Sequence, residues 1–120
     1  MDTTSSSNYL EYHGMVMPAD GYVESVIIRS ESACGSSTVG VLTAGTGTEV
    51  PAVHGGQFFS SALDMAADDT AYKFDTFTNA GGVPNSFSAG DVVMISFNPS
   101  NSSYDSIATA TFVFDWNNAL

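Results

Sequence analysis

Cations are almost missing from this chain: Arg29 and Lys73 stand alone against thirteen Asp and Glu, for a formal net charge of −11. Nucleic-acid affinity comes mainly from Lys and Arg displacing phosphate counterions, and two cations build no basic stripe, so direct DNA or RNA binding is excluded. Binding to an anionic membrane falls on the same ground. Cysteine is down to one, Cys34, which excludes an intrachain disulfide and leaves stability to the core or to neighbouring chains. A reactive thiol wants cationic surroundings that this chain cannot easily supply, so Cys34 reads as a small loop or core residue. Long apolar runs are lacking too, none nearing the ~18 residues of a spanning helix. The opening MDTTSSSNYLEYHG has neither a basic n-region nor an apolar h-region, so the expectation is a soluble protein without a secretion signal of its own.

With charged residues at only 12%, the remaining polar surface must be Ser, Thr, Asn and Gly, the composition of extracellular or virion shell proteins more than of cytosolic enzymes. Against this stand eight Phe, five Tyr and 43% hydrophobic residues, enough apolar matter for a single core in 120 residues.

The apolar matter comes in short β-type runs. Residues 1–8, MDTTSSSN, are small and polar and predict a flexible arm that orders on binding, leaving 9–120 as the folded domain. Strands are expected over Tyr9–Met17 (broken near Gly14), Tyr22–Ser30, Ser37–Thr43, Gln57–Met65, Thr70–Phe77, Asp91–Phe97 and Ser106–Trp116, with a short edge piece over Val50–Val53. PADG, AGTGTE and AADD supply turn chemistry between them. The segment from Thr78 to Ala89 reads as a loop that anchors Phe87 in the core. In the last strand Ala108, Ala110, Phe112, Phe114 and Trp116 share one face, grading from small to large as a tapering core would. In SAGDVVMISFNPS, Val93, Ile95 and Phe97 take one face and Val92 and Met94 the other. That strand is expected to be inner, buried on both sides or facing a neighbouring subunit on one, with Asp91 a turn carboxylate. Ser61–Ala67 is the one stretch with a hint of helical spacing, and it reads more simply as a strand leading into a turn. About eight short strands bounded by Gly, Pro, Asn or Asp point to a single all-β antiparallel β-sandwich or jelly roll.

Chemistry finds little purchase in these residues. A nucleophile elbow needs Gly-x-Ser-x-Gly between strand and helix, and neither is there. His13 and His54 lack the H-x-H or H-E-x-x-H spacing of a zinc site and read as surface or interface histidines. Asp68-Asp69 lacks the alternating oxygen ligands of a calcium loop and reads as a turn. A glycosidase or aspartic-protease pair needs two carboxylates in one cleft, and neither D-T-G nor D-S-G occurs. No catalytic residue, metal or cofactor is therefore expected. Asn101-Ser102-Ser103 matches a glycosylation acceptor, a pattern common by chance. Arg29 and Lys73, flanked by Glu31 and Asp75, are expected to form cross-strand or intersubunit ion pairs.

Four phrases, MPADGYVESVIIRSES, LDMAADDTAYKFD, FSAGDVVMISFNPS and TATFVFDW, together resemble the jelly-roll modules of tailed-phage virions, especially phages of aquatic hosts. In those modules an A-x-x-G turn opens a strand ending in R-S-E. An F-x-A-G-D strand later runs to a Pro, and the terminal strand ends on an aromatic. The resemblance covers about Gly14 to Trp116. It implies a C1q- or TNF-like sandwich, typically a homotrimer, used either as a capsid decoration protein or as a fibre tip; it carries over no catalytic or metal residue.

On these grounds the expected role is that of a bacteriophage structural protein on the outer capsid surface. It would cement the shell through contacts with the major capsid protein and with its own copies, using exposed aromatics such as Tyr9, Tyr12 and Phe59, with Tyr104 a further interface residue that would offer a stacking face in the competing role. The absence of any stalk in the sequence favours that location over a tail. The competing expectation is a receptor- or glycan-binding tip of a tail fibre, whose Ser-, Asn-, Gly- and Tyr-rich loops TNAGGVPNS and NPSNSSYD suit recognition.

Overall fold

The computed structural model describes residues 8–9, 15–45, 57–78, 85–101 and 105–120. Among these residues every regular element is a strand: β1 Asn8–Tyr9, β2 Met15–Val16, β3 Ala19–Ser30, β4 Gly35–Ala44, β5 Gln57–Met65, β6 Ala71–Phe74, β7 Val92–Asn98 and β8 Ser106–Ala119. All pairings are antiparallel. One sheet runs β1-β7-β4-β5, with β2 lying beside β7 further along the same edge as β1; the other runs β6-β3-β8. The two face each other as an all-β sandwich, the architecture expected from the spacing of the turn residues.

Strand alternation builds the core between the sheets. In the larger sheet Val39 lies opposite Phe97, and Val41 is flanked by Ile95 and Phe59; these inward residues join one buried cluster. Val26, Ile28 and Phe74 meet them from the smaller sheet. Cys34 is fully buried in the same cluster, in keeping with its expected core role, and its backbone oxygen accepts hydrogen bonds from the N–H groups of Ser100 and Asn101.

The second face of β7 is covered as well. Met94 and, opposite it on β4, Leu42 are each 1% exposed although neither belongs to the cluster between the sheets. Both faces of β7 are therefore buried at its middle, while Val92 on the second face is only partly buried. Asp91 closes the turn into β7. Its Oδ2 accepts a 2.8 Å hydrogen bond from the Ser88 N–H, its own N–H donates to the Ser88 carbonyl, and Gly90 takes the φ of 88° that this turn requires.

Several boundaries differ from those read in the sequence. PADG does not close a turn: β3 starts at Ala19 and runs through Asp20 and Gly21. Gly21 serves close approach, because a Cβ there would collide with the carbonyl oxygen of Val113 on β8. Asn8, expected in the arm, pairs with Phe97. The last strand extends past Trp116 to Ala119, with an irregularity in its pairing between Ala19 and Asp20. Gln57–Met65 matches its expected bounds. Val50–Val53, His13 and His54 lie outside the described residues.

Phe59 is corrected outright. Expected as an exposed aromatic, it is 1% exposed and sits in the core, because the register of β5 on β4 sets it opposite the inward Val41.

Candidate assembly surface

Sheet edges expose unpaired peptide groups, and proteins usually blunt them with short strands, charges, proline or a covering loop. Among the described strands, three of the four sheet edges are blunted. β1 and β2 have two residues each. β6 has four and carries Lys73. β5 carries Asp64, and Ser60 on it is bridged by Thr78 through reciprocal hydrogen bonds of 2.8 and 3.0 Å.

β8 is different. It has 14 residues, and among the described residues it pairs with β3 alone. Its run SIATATFVF, Ser106 to Phe114, contains neither an ionisable residue nor a proline. Ile107 on its outer face is 76% exposed.

The inward face of β8 is only half covered. Ala108, Ala110, Phe112 and Phe114 are partly buried against the core, and Trp116, next in the same row, is 64% exposed. These rings form a ladder. Phe112 and Phe114 stack at 6.0 Å between centroids, Phe114 and Trp116 lie 5.2 Å apart, and buried Phe87 meets Phe112 and Phe114 edge-on at 6.1 and 5.9 Å. Aromatic pairs at such spacings contribute about 0.5–1.5 kcal/mol beyond their burial.

Phe87 is the fixed rung, as the sequence led one to expect. Its N–H and carbonyl exchange hydrogen bonds of 2.8 and 3.1 Å with Gly21. The chain after it is tied by Ala89 N–H to Asp20 Oδ1 at 2.8 Å and by Gly90 N–H to the Met17 carbonyl at 2.8 Å. Beyond the ladder, Asp115 accepts from the Asn117 N–H and the Asn118 side-chain amide, and the Leu120 N–H donates to the Pro18 carbonyl. Trp116 is therefore presented by a tied-down segment, with Met15 and Val16 also exposed on β2.

Of the aromatics singled out in the sequence, Tyr9 is placed in β1 opposite Ser96 by its backbone. Tyr12 and Tyr104 lie outside the described residues, and Phe59 belongs to the core. The ladder was legible as one face of a strand: Ala108 to Phe114 pack against the core as expected, and the row leaves it at Trp116, where the polar DWNN was the available signal.

The two cations sit on the outer face of the smaller sheet. Arg29 approaches Asp69, not its sequence neighbour Glu31, at 3.9 Å with both side chains well exposed, a pair that adds little to stability. Lys73 makes no salt bridge among the described residues. Asp68 and Asp69 act as turn residues: Asp68 Oδ1 accepts from the Ala33 N–H at 2.7 Å, and Asp69 takes a φ of 52° while donating its N–H to the Ser30 carbonyl.

No protein-family model, curated protein or solved structure matches this chain.

Proposed function

We propose that this protein is a virion structural protein: a jelly-roll module that decorates the outer surface of a phage capsid and cements it through contacts with the major capsid protein and with copies of itself. The observation that carries the reading is the uncharged, unblunted β8 edge with its half-covered aromatic ladder, a surface suited to protein contact. The acid excess supports an outward position, since a surface of net charge −11 resists aggregation and does not compete for packaged DNA. The phage-module phrases quoted above add the capsid context.

The mechanism is mechanical. Copies bound across joints of the shell lattice contribute contacts that the open lattice lacks, and binding to the assembled state alone stabilises it by mass action. Saturation at ~100 times the dissociation constant corresponds to about 2.7 kcal/mol per site. Expanded shells lacking the protein are therefore expected to disrupt at a higher temperature once it is added, in a dose-dependent manner, as read by calorimetry of the shells. An unchanged disruption temperature at saturating protein would contradict the reading. Deleting residues 1–7 is expected to weaken the effect without changing the circular dichroism of the free domain.

One feature favours the fibre-tip alternative. Trp116 is 64% exposed at the end of the aromatic row, and an exposed indole is a stacking platform for a sugar ring. It is the chain's one tryptophan, so its fluorescence reports this site alone. Quenching by soluble glycans, with no response to shells, would select that alternative.

A further inference from the structure

We propose that a second copy of this chain pairs with β8, antiparallel about a two-fold axis at Thr111, joining two three-stranded sheets into one continuous sheet. The proposal rests on reading β8 as a contact surface and names its occupant.

The peptide groups are oriented for it. The Asp105 carbonyl accepts from the Glu31 N–H at 3.2 Å, and the Val113 carbonyl faces Gly21, so odd-numbered residues of this stretch direct their backbone toward β3. By alternation Ala108, Ala110, Phe112 and Phe114 direct theirs away from β3, to the edge that no described strand pairs.

Charge selects the strand. Two chains of net charge −11 repel, so the joining edge has to be one without carboxylates, and Ser106 to Phe114 is such a run, bounded by Asp105 and Asp115.

Size complementarity selects the register. With the axis at Thr111, Ala110 lies opposite Phe112 of the second copy and Ala108 opposite Phe114, so each alanine of the row faces a ring. Thr109 meets Val113 on the outer face. Asp115 meets Ile107, with its carboxylate already occupied by Asn117 and Asn118. Moving the axis to Ala110 would set Asp115 against Asp105, and moving it to Phe112 would set two Phe rings directly against each other. Cross-strand pairs of this kind are each worth about 0.2–1 kcal/mol, and like charges directly opposite destabilise.

At Thr111 the two copies form a non-hydrogen-bonded pair with Cα atoms ~4.5 Å apart, inside the ~4.4–6.8 Å span of a disulfide. Thr111 is exposed, so its replacement leaves the core intact, whereas Cys34 is buried and takes no part.

The full chain is expected to sediment with the mass of two chains. Thr111→Cys should cross-link on mild oxidation to a two-chain band that reducing agent reverses, while Thr76→Cys, also at an exposed position, should not. Thr111→Lys sets two like charges on the axis and should give the mass of one chain with unchanged far-ultraviolet circular dichroism. It also lowers the net negative charge, so general repulsion cannot explain that result. A wild-type mass of one or three chains, or no more cross-linking at residue 111 than at 76, would overturn the pairing. Neither measurement uses shells, so failure to bind a shell and failure to pair are separate outcomes.

Discussion

Phe59→Ala is expected to lower the unfolding free energy by about 3–5 kcal/mol, the cost of emptying a buried aromatic site. The whole stability of a domain this size is ~5–15 kcal/mol, so the loss is a large fraction of the total. The residue lies between sheets, opposite Val41 and 1% exposed, and neither Val41 nor Ile95 beyond it can move in without breaking the β4 ladder. A surface aromatic would behave differently, its removal falling within about 0.5 kcal/mol. Urea unfolding followed by far-ultraviolet circular dichroism measures the difference; tryptophan emission would not, because Trp116 is already exposed. A loss under about 1 kcal/mol would place Phe59 outside the core and contradict the register of β5.

Gly21→Val should cost about 3 kcal/mol or more, at the upper end of overpacking effects, because the obstacle is backbone and not a side chain that can swing aside. A Cβ at residue 21 would collide with the Val113 carbonyl oxygen and come within 3.2 Å of the Phe114 Cα. Relief requires β8 to leave β3 at the point where Gly21 also exchanges two hydrogen bonds with Phe87. The near-ultraviolet signal of the Phe87–Phe112–Phe114–Trp116 ladder should therefore collapse together with stability. Gly45→Ala is the matched control: among the described residues its Cβ would meet only Asp91 Oδ1 at 3.8 Å, an ordinary contact, and stability should change by no more than about 0.5 kcal/mol. Equal effects of the two substitutions would refute the close approach of β3 and β8.

Local pattern carried most of the architecture. Gln57–Met65 and Val92–Asn98 are bracketed by turn residues and filled with apolar or β-branched side chains, so their strands are visible without tertiary information. Phe87 as an anchor and Asp91 as a turn carboxylate were legible for the same reason, since each rests on a neighbourhood of a few residues.

What failed depends on contacts distant in sequence. Local pattern leaves open which face of its strand Phe59 takes, and only the pairing of β5 with β4 sets its ring inside. PADG has the composition of a turn, yet its glycine serves an approach by Val113, more than 90 positions later in the chain. The face Ala108 to Trp116 was identified correctly as one row. Its partial exposure follows from β8 being the edge of its sheet, a consequence of strand order that no local window contains.

The assembly role turns on whether the exposed edge and ladder serve a protein lattice. Electron cryo-microscopy of expanded shells, lacking this protein and then mixed with it in purified form, tests that most directly. Decoration predicts added density at the same lattice position on every face of the shell; shells that stay bare at saturating protein would contradict it.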